Sequence, residues 1–599
     1  MFPAARFDDL TPGRQWSFAL HDQVDTIVAQ DISDVVPAIE RLQAAVAQGY
    51  WAAGYISYEA SPAFDDSLSV RENEEPGLPL LWFGIFRRQE VCPQLEPRAG
   101  DSASYRAGPW RASVSRQQYE VALAKILDLI RAGDTYQVNY TFRLRAAISG
   151  VVNDFYRDLI HSQDGAYGAF LDLGRYRVMS ASPELFFRWH GNRLETRPMK
   201  GTAPRGRWSA EDHAFAARLH SSEKDRAEHL MIVDLLRNDL GRIAESGTVS
   251  VEELLKLEQY ATVWQLTSLI AADVPPATRL QDILSALFPG GSITGAPKRS
   301  TMKIIAELET QARGVYCGAI GFLAPPGFDG PKACFNIAIR SAVVDMQKGI
   351  AEYGVGGGIT WDSNSAAEYE EALLKAEVLS ARAASADLLE TLRYEPGEGL
   401  FFIEEHLDRM QESADYFACC FDRNAVRDAI EIEVSKSLHA LRVRVVVTPS
   451  GRITVNTRKI TDAFTSFYDE NQPAKTAALD HHPVNSADPA LFHKTTRRET
   501  YEQASARHPD AHDVILINDQ DEITESTVAN VVVKIGNTWY TPPLNSGCLP
   551  GVYRQQLLAK GKIHERPITK SEFCDATAAA LINSVRGWQR IGVRPQSTL

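Results

Sequence analysis

In the stretch "SRQQYEVALAKILDLIRAGD" the apolar residues Tyr119, Leu123, Ile126, Leu127 and Ile130 recur at intervals of three and four. That period predicts an amphipathic helix, with Ser115 as its N-cap and Gly133 as its stop. Before it, residues 1 to about 110 mix apolar and turn-rich stretches such as "YWAAGYISYEASPAFDD" and "LPLLWFGIF", which predict strands with intervening loops. Between 135 and 345 the strand-like runs "AYGAFLDLG", "YRVMSAS", "CGAIGFL" and "CFNIAIRSAVV" alternate with helical stretches. One of these, "SSEKDRAEHLMIVDLLRNDLGRI", has an apolar face that includes Leu230, Val233 and Leu236, with Glu228 on a different face. A helix is expected over "AAEYEEALLKAEVLSARAASADLLETL" from about 366, until "RYEPGEGL" breaks the period. A strand, the helix "EEHLDRMQESADYF" and the valine-rich strands "LRVRVVVTPSGRITVNT" then begin a second series. A boundary near 385 follows, with domains over 1–385 and 386–599.

Composition adds mostly exclusions. A chain of 599 residues is too long for one hydrophobic core. Its 63 basic and 77 acidic residues leave a net charge of −14, which argues against a broad basic surface for nucleic acid. No run approaches 18 consecutive apolar residues, so no membrane span is expected. The opening "MFPAARFDDLTPGRQWSF" lacks a basic-then-apolar signal, and the seven cysteines form no CxxC pair. The expectation is a soluble, cytoplasmic protein.

Four stretches of the first half carry candidate chemistry. "RPMKGTAPRG" holds Lys200 among Pro198, Gly201, Thr202, Pro204 and Gly206, either as a solvated charge on a turn or as an amine held by a rigid one. "SASPELFFRW" places Glu184 between apolar residues. "WDSNSAAEYEEALLKAEVL" puts Glu368, Glu371 and Lys375 on one helical face. "YGVGGGITWD" supplies Gly354, Gly356, Gly357 and Gly358, whose backbone N–H groups could bind a carboxylate or phosphate. Singly, each also has an ordinary reading, as helix decoration or a flexible turn.

Together, "ASPELF", "RPMKGTAPRG", "DRAEHLMIVDLLRNDLGRI", "FPGGSITGAPK", "CGAIGF", "FNIAIR" and "YGVGGGITWDS…AAEYEE" resemble the chorismate-utilising enzymes over about residues 50–385. The resemblance implies an α/β (α+β) fold, a sandwich of two mixed sheets with helices outside. Lys200 stands where aminodeoxychorismate synthases of that family carry lysine, and Gln265 where anthranilate synthases carry histidine. By resemblance Lys200 is the nucleophile and Glu184 the general acid. Glu228 and Glu371 bind Mg²⁺, with Glu368 close by. Tyr316, Arg340, Lys375 and the backbone of Gly356, Gly357 and Gly358 hold chorismate. The chain shows no cysteine nucleophile elbow with matching His and Glu, so ammonia is expected from solution or from a separate glutamine amidotransferase subunit.

The second half is similar to the class IV, branched-chain-aminotransferase-like, pyridoxal-phosphate enzymes. The matching order is "HLDR", Lys494, "TESTVAN" and "TPPLNSGCLPGVYR" within residues 401–587. The resemblance implies a class IV aminotransferase-like fold and a cofactor Schiff base at Lys494. It places Glu525 at the pyridinium nitrogen, with Arg409, Val552, Tyr553 and Ser584 around the phosphate. Its motifs separate transaminases from 4-amino-4-deoxychorismate lyases poorly. A lyase fits the first half best, because it consumes what an aminodeoxychorismate synthase makes; a transaminase-like domain or a non-catalytic scaffold binding the glutaminase subunit stays open.

Overall fold

The computed structural model describes residues 2–11, 16–72, 77–95, 104–163, 166–379 and 386–593, and the expected boundary near 385 lies outside them. The described chain divides into two compact units, 2–205 with 215–379 and 206–214 with 386–593. No helix among the described residues is long and apolar enough to cross a membrane.

In the first unit, side-chain alternation sorts the strands into layers. Along Trp51–Ile56, Trp51, Ala53 and Tyr55 enter one core while Ala52 and Ile56 enter another. Along Ala319–Leu323, Ile320 and Phe322 follow the first group, whereas Ala319 and Leu323 follow the second. A period of two buried on both faces is what a sheet covered on both sides requires. The shared core, with Phe7, Phe18, Trp51, Leu171 and Phe322, lies between two sheet layers. The outer face of one layer packs on the helices Ile32–Ala47, Glu223–Gly241 and Leu280–Leu287. The other packs on Arg116–Ala132, Val152–His161 and Ser365–Leu374. Hydrogen bonds link the strands of both layers into one 19-stranded network.

Every strand pair in this unit is antiparallel, so the expected mixed sheets are corrected. Three helical expectations also change. Residues 32–47 form a helix where strands and loops were expected, because Val35, Ala38, Ile39 and Leu42 recur at helical spacing. The buried stripe of Glu223–Gly241 is His229, Ile232, Val233, Leu236, Asp239 and Leu240, and Leu230 is exposed. The helix expected from about 366 ends at Leu374, and Leu388–Glu395 is a strand. By contrast, Arg116–Ala132 begins with a reciprocal capping box at Ser115 and stops at Gly133, whose φ of 84° suits glycine.

The second unit has two parts. A four-stranded antiparallel sheet, centred on Leu388–Glu395 and Leu441–Val447, packs on the helices Ile403–Tyr416 and Arg423–Val434. An eight-stranded mixed sheet contains parallel pairs of Lys475–Leu479 with Asp513–Ile517 and with Gly587–Val593. Its strand Ile523–Ser526 returns to pair with Asn530–Ile535, closing six strands into a barrel-like ring.

The Phe322 ring sits 5.1 Å from that of Phe7 and 5.0 Å from that of Phe18, in a core both layers share. Phe322→Ala is expected to cost about 3–5 kcal/mol, measured as a lower urea midpoint for the first unit.

Candidate functional site

A cavity of about 230 Å³ in the first unit gathers every first-half candidate: Glu184, Lys200, Glu228, Tyr316, Arg340, Gly356, Gly357, Gly358, Glu368, Glu371 and Lys375, with Gln265. Lys200 lies in the strand Met199–Pro204, not in a turn. That strand pairs with Val263–Asp273, and its register slips between Lys200 and Thr202. Gly201, at φ 80°, absorbs the slip, so this is a β-bulge with glycine in the left-handed region. Bulges re-aim side chains, and this one sends the Lys200 amine towards the cavity.

The glycines opposite are not a nest. They lie in the strand Ile350–Ile359, paired along Gln137–Gly150. Their lack of side chains is what brings the walls together. A Cβ on Gly358 would stand 2.5 Å from Lys200 Nζ, and one on Gly354 would stand 2.2 Å from the Tyr316 ring. The Gly356 carbonyl accepts a hydrogen bond from Lys375 Nζ at 2.9 Å. Lys375 also pairs with Glu371 at 2.9 Å, and its own carbonyl accepts from Arg340 at 2.5 Å.

Electrostatics here is governed by burial. Glu184 is buried, and loss of hydration pushes its carboxyl up to about 7, against the opposing effects of the Ser292 hydroxyl (2.6 Å) and of Lys200. Burial likewise lowers the Lys200 amine; Glu228 and Glu184 oppose that shift and Lys375 adds to it. Both groups are thus moved towards their neutral forms. Glu371 is held low, first by the Lys375 charge, while burial raises Glu368, whose carboxylate accepts from Ser363 at 2.6 Å.

In the second unit Lys494 follows the short turn Pro489–Leu491, and its carbonyl accepts from the Leu389 N–H at 2.9 Å. Burial and then the Arg409 charge bring its amine down to about 8. Glu525 is buried and pushed up to about 7 by burial, accepting from Tyr501 at 2.7 Å and from Asn530 at 3.4 Å. Val552 and Tyr553 open the helix Val552–Ala559, and the Tyr553 hydroxyl donates to the Ser466 carbonyl. Ser584 donates to Thr391 O at 3.4 Å. The Arg409 guanidinium is not free: it grips Glu390 through two bonds of 2.8 Å and donates to Pro550 O.

Residues 9–381 match the family described as chorismate binding enzyme. The chain belongs to that family. Residues 387–592 match amino-transferase class IV. Aminodeoxychorismate synthase component 1 of Klebsiella aerogenes is 42% identical over 341 residues, covering 53% of this chain and 74% of that protein. Anthranilate synthase component 1 of Aquifex aeolicus is 38% identical over 270 residues, covering 45% of this chain and 53% of its own. Among solved structures, anthranilate synthase component I from Streptococcus pneumoniae superposes with a TM-score of 0.53 at 26% identity, covering 62% of this chain and 93% of that one. Relatives with two different activities thus stand at comparable identity.

For a chorismate binding enzyme the carboxylates Glu228, Glu368 and Glu371 suit a hard dication in donor type. They do not stand as a preformed cluster: among the described residues no three His, Cys, Asp or Glu are grouped to hold a metal. For a pyridoxal phosphate, Glu525 fits best, a buried acid whose hydrogen-bond donors are neutral and which a protonated ring nitrogen would pair. The sequence reading missed His229, Ser292, Asn139 and Gln137. His229 was legible as the first member of the buried helical stripe. Gln137 is fully buried, with neither amide atom hydrogen-bonded among the described residues, and its Nε2 lies 2.9 Å from the position of a Cβ on Gly358.

A raised Glu184 pKa means the folded state holds a proton that the unfolded chain releases above about 4.5. Stability therefore falls between about pH 4.5 and 7, because the unfolded chain ionises this carboxyl while the folded state keeps it protonated, and the fall ends once Glu184 ionises in place. Glu184→Gln is expected to gain on the order of 2–3 kcal/mol at pH 8 and little at pH 4, read from urea unfolding at the two pH values.

Proposed function

We propose that the first unit converts chorismate and ammonia to 4-amino-4-deoxychorismate, and that the second removes pyruvate from this product to give 4-aminobenzoate, a precursor of folate. The observation that carries the reading is the Lys200 amine, lowered by burial, in one cavity with a buried acid raised to about 7 and so able to donate a proton near neutral pH. The neutral amine attacks ring carbon C2, both double bonds of the ring diene shift by one position, and the C4–O bond breaks as Glu184 protonates the departing hydroxyl to water. Ammonia then bonds to C4, both double bonds shift back, the Lys200 nitrogen leaves C2 as the free amine, and the new C4 ammonium returns a proton to the Glu184 carboxylate. Glu228 and Glu371, with Glu368 beside them, would hold Mg²⁺, which supplies positive charge for a substrate carboxylate. Tyr316, Arg340, Lys375 and the open edge of the glycine strand would orient the remaining polar groups. A separate glutamine amidotransferase subunit would deliver the ammonia.

In the second unit Lys494 would carry pyridoxal phosphate, which supplies an electron sink when bound. Its amine, lowered to about 8, is suited to moving the substrate proton whose loss precedes pyruvate elimination. The grip of Glu390 on Arg409 favours a second reading, a unit that binds the cofactor poorly and serves as a scaffold.

Supplied with chorismate, ammonium and Mg²⁺, the protein is expected to form 4-aminobenzoate; anthranilate as the product would overturn the assignment. Lys200→Ala is expected to lose amination by at least about a thousandfold, and full retained activity would remove the nucleophile role. Pyridoxal phosphate added to the protein is expected to give a lysine-linked absorbance band that Lys494→Ala lacks. A wild type that gains no band favours the scaffold.

A further inference from the structure

His229 is fully buried on the inner stripe of Glu223–Gly241, one residue from Glu228, and faces the bulge rather than the cavity. Its Nδ1 lies 3.3 Å from the Lys200 carbonyl and its Nε2 2.7 Å from Ser268 Oγ. The roles are fixed by elimination. A carbonyl only accepts, so Nδ1 carries the hydrogen and Nε2 is left as the acceptor for the Ser268 hydroxyl. Ser268 Oγ in turn accepts the Leu255 N–H at 3.0 Å.

Both ends of this relay sit at breaks in strand pairing. At one end the register slips between Lys200 and Thr202; at the other, the strand Ser250–Gln259 slips between Glu253 and Lys256, where Leu255 has φ 55°. The unpaired residue of the first bulge is Gly201, and Lys200, which keeps Leu266 as its register partner, is the last paired residue before it. His229 gives the Lys200 carbonyl a side-chain donor at that edge, and Ser268 takes the Leu255 N–H at the other bulge, across the shared strand Val263–Asp273.

We propose that His229 is a positioning residue for Lys200: by holding the carbonyl that leads into the bulge, it fixes the backbone from which the amine reaches over Gly358. The proposal rests on the reading of Lys200 as nucleophile for its catalytic consequence, but not for its geometry. It singles out one ring nitrogen. Asparagine places an amide N–H where Nδ1 stands, whereas glutamine reaches towards Ser268 and removes the side-chain contact to the Lys200 carbonyl.

The test compares His229→Asn, His229→Gln and Ser268→Ala in the full chain. Two quantities are read: ammonium-dependent turnover of chorismate, and the rate at fixed pH at which cyanate carbamylates Lys200, followed by mass spectrometry. His229→Gln is expected to lower kcat about tenfold or more while KM for chorismate stays within about twofold, as a lost alignment does. It should also change the carbamylation rate of Lys200, and His229→Asn should restore both quantities most of the way. Ser268→Ala, which leaves the imidazole in place but frees its tautomer, should fall between them. Equal losses in the Asn and Gln variants, or a Gln variant better than the Asn one, would reduce His229 to core packing. Should the histidine variants fail to fold, a Ser268→Ala protein matching wild type in both quantities would overturn the proposal. Lys200→Ala that still aminates chorismate would remove the nucleophile reading alone, because carbamylation still reports on the bulge.

Discussion

The strand Ile350–Ile359 passes the cavity of the first unit with glycine at Gly354, Gly356, Gly357 and Gly358, and much of the unit is arranged around that constraint. Any Cβ on Gly354, Gly356 or Gly358 would meet the Tyr316 ring, the Tyr140 carbonyl or the Lys200 amine at 2.2–2.5 Å. None of these glycines has a positive φ, so backbone freedom is not the reason for them. They are there because three walls approach one strand. The neighbouring strand makes the same division by alternation: Val138, Tyr140, Phe142 and Leu144 face the helices, and Gln137, Asn139, Thr141 and Arg143 form a buried polar row on the other face. One such polar face is supported by Arg313, whose guanidinium pairs with Glu309 at 2.7 Å and donates to the carbonyls of Asn139 and Ile293. A buried charge of this kind is tolerated because nearly every donor finds an acceptor.

Within that frame, hydration decides the chemistry more than pairing does. An amine and a carboxyl in one cavity could settle as an ion pair. Burial outweighs their attraction in both cases, moving Lys200 down and Glu184 up. The neutral pair is the useful one, since a free lone pair and an available proton are what substitution of a hydroxyl requires. Lys375 contributes by opposing a charge on Lys200 while it holds Glu371 ionised. A single cation thereby favours a neutral amine and an ionised carboxylate within one cavity.

Residue types were easier to read from the sequence than their settings. Capping chemistry marked Arg116–Ala132 at both ends, because a Ser–Gln box and a left-handed glycine act locally. The eleven cavity residues of the first half were recoverable from motifs whose order along the chain is distinctive. Context was not. A lysine between prolines and glycines looks like a turn, and only long-range pairing with residues 263–273 shows a strand with a bulge. The run "GVGGG" looks like an anion loop, whereas Gly354 and Gly358 answer to the Tyr316 and Lys200 side chains, more than 30 positions away in sequence. The strand at Leu388–Glu395 was read as helix because "ADLLETL" continues a helical period. Seven pairings with Leu441–Val447 override that local preference.

The second unit repeats the logic of the first with a different balance of charge. Lys494 is lowered and Glu525 is raised, again chiefly by burial. Its arginine differs. Arg409 adds to the lowering of Lys494, yet two short bonds commit it to Glu390, whose carboxylate that arginine and His406 hold well below the ordinary range despite full burial. A phosphate at this place would meet a guanidinium already shared with one carboxylate. Its charge would have to be met by the remaining guanidinium donors, by the N–H groups at the start of Val552–Ala559 and by hydroxyls such as Ser584. The acid that steadies Arg409 in the folded chain therefore also sets how much positive charge a bound anion can use. Were a phosphate group to bind here, the Glu390–Arg409 pair would therefore bear on it alongside Lys494.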